Sequence, residues 1–199
     1  FKGTKKRPTY LEVAETLDRV GGIYNAFTGE DYTGYFAKVE AHHLDLALDW
    51  VSDIFLNSKL PSTEVKKEKG VIIEEINMRQ DHPSTFIQTL WTNLLYGDQP
   101  AGWDIAGTKE SVMSIDRQKL LGYMTTQYVA KNTVVCLAGK VETSHLIGKI
   151  KKYFSKIGNL EPVGKLRVIE KQNKPQCLLH ERKTDQSHLC LGSRAFNLF

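Results

Sequence analysis

Residues 21–39 read GGIYNAFTGEDYTGYFAKV, with aromatic and β-branched residues on both sides of a short glycine-containing turn. Such residues favour extended backbone, and Gly29-Glu30-Asp31 supplies the turn between them. The pattern predicts a β-hairpin with strands at Ile23–Thr28 and Tyr32–Val39. An antiparallel sheet is therefore expected in the fold.

Helical patterns flank this hairpin along the rest of the chain. Thr9 and Glu12 form a capping box that predicts a helix, which Gly21-Gly22 ends. Apolar spacing predicts further helices at about 42–56, 62–79 and 85–96, from Ser114 or Asp116 to about 128, and at about 144–157. Short apolar runs predict strands at about 133–138, 177–181 and 187–192. Together these elements predict an α/β fold, a two-layer sandwich in which helices cover a largely antiparallel sheet.

Composition excludes several functional classes. The chain has 199 residues, is 41% hydrophobic and carries a net charge of only +4, with acidic residues interspersed among the basic ones. This is not the basic footprint of a nucleic-acid-binding protein, and no apolar run is long enough to cross a membrane. The three cysteines, Cys136, Cys177 and Cys190, lie far apart in apolar runs. They are expected to be free core or strand thiols in a reducing compartment, which favours a cytoplasmic protein.

Familiar catalytic motifs are absent from the 199 residues. The six histidines include no His-Glu-x-x-His motif, and no Gly-x-Ser-x-Gly elbow or phosphate-binding glycine loop is present. Taken alone, the chain contains no complete metal site.

The stretch EKGVIIEEINM, residues 68–78, sets three glutamates around a Val-Ile-Ile run. Glu68 and Glu75 are seven residues apart, so on a helix they lie within roughly 20° of one face, whereas Glu74 is expected to face solvent. Two stacked carboxylates on a half-apolar face are costly unless they are paired or bind a metal. Spacing alone leaves both interpretations open: a surface helix with ion pairs to Lys66, Lys67 and Lys69, or a helix that holds a ligand.

Five segments, in chain order and over nearly the whole chain, resemble the M16 metallopeptidases. This inverted-zincin family includes pitrilysin, insulin-degrading enzyme and the mitochondrial processing peptidase. The segments read FKGTKKRPT (1–9), GGIYNAFTGEDYTGYF (21–36), EKGVIIEEI (68–76), GWDIAGTKESV (102–112) and YVAKNTVVCLAGKV (128–141). The resemblance implies a zinc endopeptidase that cleaves extended peptides.

The resemblance also implies roles for particular residues. In the family a His-x-x-Glu-His helix, with two zinc histidines and a general-base glutamate, precedes a Phe-x-Gly-Thr segment. Phe1-Lys2-Gly3-Thr4 matches that segment, so the motif is expected just upstream of residue 1. Glu75 then matches the third zinc ligand, and Glu68 matches the acidic residue that supports the site.

The hairpin and the remainder of the chain gain implied roles as well. The strand at Asn25, Ala26 and Phe27 matches the family strand that pairs with an extended substrate, although Phe27 is also a candidate core residue. Residues 1–162 are expected to form the N-terminal peptidase domain, truncated at its start, and 163–199 a linker and the first strands of a second, similar domain. A partner M16-like half, in a homodimer or heterodimer, is expected.

Two readings of the function stay open. Without the two histidines and the general base, the chain as given is expected to be inactive, and the intact parent to be the zinc enzyme. The alternative is a non-catalytic M16-like subunit that binds peptides or supports a complex.

Overall fold

A computed structural model describes residues 1–183 and 185–195 of the chain. These described residues form seven α-helices and one two-stranded antiparallel sheet. The helices are α1 (Tyr10–Asp18), α2 (Leu44–Asn57), α3 (Ser62–Asp81), α4 (Pro83–Tyr96), α5 (Lys109–Ser114), α6 (Arg117–Gln127) and α7 (Thr143–Tyr153), and the strands are β1 (Ile23–Thr28) and β2 (Thr33–Lys38). The predicted α/β fold class is confirmed.

The chain divides into two compact units. The first comprises residues 1–67 and 115–164, and the second comprises the described residues of 68–114 and 165–199. Helix α3 begins in the first unit and continues into the second. The domain boundary expected near residue 162 stays a prediction.

The hairpin forms where the sequence predicts it. Strands β1 and β2 pair in register from Ile23 opposite Lys38 to Thr28 opposite Thr33. The Gly29 N–H donates to the Tyr32 carbonyl at 2.8 Å and closes the turn. The turn therefore fixes which residues face each other along both strands.

Helices α1 and α2 pack against one face of this hairpin. Val13 and Leu17 of α1 form a buried cluster with Trp50 and Ile54 of α2. The Trp50 indole Nε1–H donates to the Val13 carbonyl at 2.7 Å, so the buried indole is satisfied. The partly buried residues around this cluster are Tyr24, Tyr35, Ala37, Val39, Leu46 and Val51. Apolar burial therefore holds the hairpin in place.

A buried polar network fixes the segment before α1 to the same helices. Thr4, Arg7 and Asp53 are almost fully buried. The Thr4 hydroxyl and the Arg7 Nη1–H both donate to Asp53 Oδ2 at 2.6 Å. Arg7 also donates from Nη2 to Asp49 Oδ2 at 2.6 Å and from Nε to Thr16 Oγ1 at 3.1 Å. One guanidinium thus joins residues 4–7 to both α1 and α2.

Most predicted helix ends agree with the structure. The Thr9–Glu12 capping box is formed, and Gly21 follows α1 with a left-handed φ of 64°. Asp116 caps α6 by accepting the Lys119 N–H at 2.8 Å. Pro83 separates α3 from α4, as its missing N–H requires.

The three further predicted strands are wrong. Residues 133–138, 177–181 and 187–192 form no strand in the part of the chain that the structure describes. Val134 is 92% exposed and Leu189 is 89% exposed, so their apolar side chains are not buried by a neighbouring layer. A strand needs a paired backbone, and apolar alternation alone does not supply one.

The cysteines lie outside the core and the strands of the described residues. Cys136 and Cys177 are exposed, Cys190 is half-buried and none of them lies in a described strand, so the prediction of core or strand positions was wrong. All three are free thiols, as predicted. Among the described helices, none is both long and apolar enough to cross a membrane.

We expect Asp53→Asn to lower the free energy of unfolding of the full-length protein by about 3 kcal/mol, because it removes one carboxylate from a buried guanidinium. The Arg7 side chain is only 7% exposed. Urea unfolding measures the change, and Glu30→Gln, which neutralises an exposed carboxylate in the turn, serves as the control. A loss for Asp53→Asn no larger than that of the control would contradict the role given to this network.

The same network predicts a pH dependence through Asp49. Partial burial raises the pKa of Asp49, but hydrogen bonds from Lys6 and Arg7 outweigh burial and leave the pKa below its ordinary value of 3.8. A lowered folded-state pKa stabilises the protein above the unfolded-state pKa, and this contribution disappears as pH falls through the folded value. The stability gap between wild type and Asp49→Asn should therefore be full at neutral pH and shrink below about pH 4. Urea unfolding across that range tests this, and a gap that widens towards acid would contradict it.

Candidate metal-ligand helix and peptide-binding strand

Helix α3 presents Glu68 and Glu75 on a single uninterrupted run of 20 residues. Seven residues of continuous helix bring the two side chains to within roughly 20° of one face. Glu75 and Glu74 are exposed, and Glu68 is half-buried. The solvent-facing Glu74 is confirmed, but Glu75 is exposed as well, so the expected contrast between these two glutamates is wrong. The roles of Glu75 as ligand and Glu68 as support stay predictions.

Lys67 and Lys69 of α3 bond to groups other than Glu75. Lys67 Nζ donates to Glu64 Oε1 at 2.8 Å, and Lys69 Nζ donates to the Met113 carbonyl at 2.9 Å. Within the described residues the Glu75 carboxylate makes no hydrogen bond or ion pair. The structure therefore gives no support for ion pairing of Glu75 with these lysines.

An exposed carboxylate with no hydrogen-bond or ion-pair partner in the described part of the chain is available to a metal ion. Zinc accepts Asp and Glu oxygens together with His and Cys, usually through three or four protein ligands. Among residues 1–183 and 185–195, no three His, Cys, Asp or Glu side chains lie close enough together to hold a metal ion. Among the described residues Glu75 is therefore a single candidate ligand, and they contain no complete zinc site.

One turn beyond Glu75, the Arg79 side chain is bound by an acidic side chain of a loop. Arg79 Nη1 donates to Asp104 Oδ1 at 3.2 Å. Asp104 also accepts the Thr89 hydroxyl at 3.0 Å and the Ala106 N–H at 2.8 Å. Asp104 is therefore fixed to α3, to α4 and to its own loop.

Strand β1 has a free edge on the side away from β2. Because Gly29 N–H bonds to Tyr32, alternation along the ladder directs the N–H groups of Asn25 and Phe27 towards β2. The N–H of Ala26 then points outward, and it donates to the Asn25 side-chain oxygen at 2.8 Å. In the described sheet this edge pairs with no other strand. The main chain at Ala26 can therefore accept an added strand once the Asn25 side chain moves away.

Phe27 lies on the hairpin surface and is not a core residue. Its side chain is 47% exposed, and its ring meets Tyr32 edge-on with centroids 5.7 Å apart. A Cβ at Gly34 would come within 2.3 Å of the ring, so Gly34 allows Phe27 to lie flat across β2. The core alternative for Phe27 was wrong, and the ring is accessible next to the free edge.

Tyr128 contacts the hairpin on the face opposite Phe27. The Tyr35 and Tyr128 hydroxyls are 2.8 Å apart, and the Tyr128 ring packs on Phe55. Burial and the hydrogen bond with Tyr35 raise the pKa of Tyr128 far above its ordinary value, so this link stays neutral and intact at physiological pH. The bond holds β2, and with it β1, against α2 and the end of α6.

The structure brings the predicted site residues together in two groups. Asn25, Ala26 and Phe27 share β1 in the first unit, while Glu68 and Glu75 belong to the second unit. The sequence interpretation missed Asp104, because helical spacing does not reveal a partner 25 residues from Arg79 along the chain. The position of Arg79, four residues after Glu75, was the available signal.

The described residues combine helices and a small antiparallel sheet with an exposed glutamate on α3 and a β1 edge that pairs with no other described strand. The family model described as Insulinase (Peptidase family M16) matches residues 1–109, and that described as Peptidase M16 inactive domain matches residues 114–198. The chain belongs to the M16 peptidase family.

Relatives and solved structures agree with this assignment. The chain is 37% identical to a Bacillus subtilis protein named uncharacterized zinc protease YmxG, over all of this chain and 47% of the relative. It is 33% identical to an uncharacterized zinc protease of Mycobacterium leprae, over 98% of this chain and 44% of that protein. A crystal structure of a Helicobacter pylori protease matches with a TM-score of 0.77 and 26% identity, over 86% of this chain and 41% of that one.

A more distant structure supports the fold alone. It is the peptidase M16 inactive domain from Pseudomonas fluorescens, with a TM-score of 0.75 and 15% identity, over 83% of this chain and 40% of that one. The chain spans less than half the length of each of these relatives.

Proposed function

We propose that the protein is a zinc-dependent metalloendopeptidase that hydrolyses peptide bonds of extended peptides. The observation that carries the proposal is the exposed Glu75 carboxylate on α3, seven residues after Glu68, which has no hydrogen bond or ion pair within the described residues. Membership of the M16 family and the zinc-protease names of the relatives support it.

The roles proposed for this chain's residues come from their match to the M16 family pattern, and their chemistry is compatible with those roles. Glu75 provides one carboxylate ligand, and Glu68 on the same helical face holds the site in position. Zinc, when bound in such a site, supplies Lewis acidity that activates water and polarises the scissile carbonyl. No His-x-x-Glu-His motif occurs in the 199 residues, so the two histidines and the general base are proposed to come from outside them.

Strand β1 is proposed to align the substrate. The outward main chain at Ala26 bonds to an extended peptide as an added strand, and Phe27 offers an apolar contact beside it. Because main-chain bonds carry this recognition, β1 selects an extended backbone more than a particular side chain.

The partner assembly is also part of the proposal. The chain pairs with an M16-like partner half, in a homodimer or heterodimer, and the protein acts in the cytoplasm. The free cysteines are consistent with that compartment.

A second function is favoured by one specific observation. Residues 114–198 match a family model whose description is an inactive domain. The alternative is therefore a non-catalytic M16-like subunit that binds peptides or supports a complex. Zinc content separates the two functions.

We expect Glu75→Gln to lower the zinc affinity of the full-length protein at least about tenfold, because a neutral amide oxygen is a poor zinc ligand. Metal analysis after dialysis against a weak chelator measures bound zinc, and Glu74→Gln is the matched control on the same helix. Glu68→Gln should lower the zinc affinity about tenfold, because Glu68 is proposed to support the site.

Unchanged zinc in Glu75→Gln would remove Glu75 from the ligand set. A wild-type protein that binds no zinc would favour the non-catalytic subunit.

Strand addition at β1 predicts a periodic response to backbone methylation. Copies of a cleaved peptide, each N-methylated at one position, should compete with periodicity two, because only alternate amides bond to β1. Inhibition of cleavage by the full-length protein measures the competition, with the unmethylated peptide as reference. Equal loss at every position, or at none, would contradict main-chain pairing.

A further inference from the structure

Arg79 stands in a position that favours an ion pair with Glu75. It lies four residues towards the C-terminus of α3, and a glutamate followed by a basic residue at that spacing is the favourable order on a helix. The observed Arg79 side chain is instead bonded to Asp104, and Glu75 makes no ion pair within the described residues. By position Arg79 can pair with either carboxylate, and in the structure it pairs with Asp104.

Asp104 is the better partner for Arg79, because its carboxylate is already held in place. Its side chain is 24% exposed, and the Thr89 hydroxyl and the Ala106 N–H hold it in place independently of Arg79. A fixed, partly sheltered carboxylate binds a guanidinium at lower entropic cost than an exposed glutamate on a mobile side chain.

We infer that Asp104 is a positioning residue for the metal ligand: it holds Arg79 and thereby keeps Glu75 free to bind zinc. The inference rests on the proposed function of Glu75. It concerns how the chain keeps this carboxylate available.

Two physical effects make the Asp104 contact matter. A carboxylate paired with Arg79 must give up that pair before it can ligate a metal. In addition, an unneutralised guanidinium one helical turn away repels a divalent cation, and Asp104 cancels that charge. Loss of Asp104 should therefore weaken zinc binding even though Asp104 does not touch the metal.

The test measures the zinc dissociation constant of the full-length protein by competition with a chromogenic chelator. Asp104→Asn is expected to raise the constant about threefold to tenfold. The control is Asp98→Asn, which makes the same charge change in the same loop at a carboxylate that accepts the Trp103 indole N–H. This control should leave the constant within about twofold of wild type.

A rescue variant separates this mechanism from a loss of local structure. Adding Arg79→Gln to Asp104→Asn removes the competing cation and is expected to return the constant to near the wild-type value. Arg79→Gln alone should stay within about twofold of wild type, because Asp104 already neutralises Arg79. This single variant tests the inference even where Asp104→Asn does not fold.

The outcomes distinguish failure of the inference from failure of the proposed function. The inference alone is overturned if Glu75→Gln weakens zinc binding but Asp104→Asn leaves the dissociation constant unchanged. It is also overturned if adding Arg79→Gln to Asp104→Asn does not restore that constant. A raised zinc dissociation constant in the single variant Arg79→Gln also overturns the inference, because Arg79 would then support the site directly. Unchanged zinc binding in Glu75→Gln removes Glu75 from the ligand set and the inference with it, whereas a wild-type protein that binds no zinc overturns the proposed function.

Discussion

The buried Arg7 guanidinium is the constraint on which the first unit depends. It bonds to Asp49 and Asp53 of α2 and to Thr16 of α1, so three segments that are separate in sequence meet at one planar group. A buried guanidinium without these partners would be strongly destabilising, so the network permits little variation in how α1 and α2 meet. The apolar cluster around Trp50 then has a defined surface against which the hairpin packs.

The packing of the hairpin on this cluster also determines which side chains of β1 are exposed. The core-facing side chains of the hairpin, such as Tyr24 and Tyr35, are tied to the cluster and to Tyr128, while Asn25 and Phe27 face away. Because side chains alternate along a strand, fixing one face also fixes the other. The buried ions around Arg7 and the exposed edge of β1 are thus linked through the packing of a single hairpin.

Sequence patterns predicted the elements whose signals are local. The capping box at Thr9, the turn after Thr28, the break at Pro83 and the cap at Asp116 each depend on a few neighbouring residues, and each is present. The strands predicted at 133–138, 177–181 and 187–192 failed because a strand depends on a partner that local alternation cannot supply. Helical periodicity identified the pair Glu68 and Glu75 of α3, but their proposed roles came from the family resemblance. Asp104 and Tyr128 were missed because each acts through a contact far away in sequence.

The free edge of β1 also raises the problem of unwanted pairing. An unpaired strand edge attracts other extended chains, including copies of the same protein. The Asn25 side chain reduces this hazard, since its oxygen occupies the Ala26 N–H in the absence of a peptide. A peptide that bonds to Ala26 must displace that oxygen, so a single weak contact is insufficient and a longer extended segment is favoured. Selection for extended backbone then follows from one hydrogen bond within two adjacent residues. The same bond satisfies an outward N–H of β1 within the strand itself, which lowers the tendency of this exposed edge to pair with other chains.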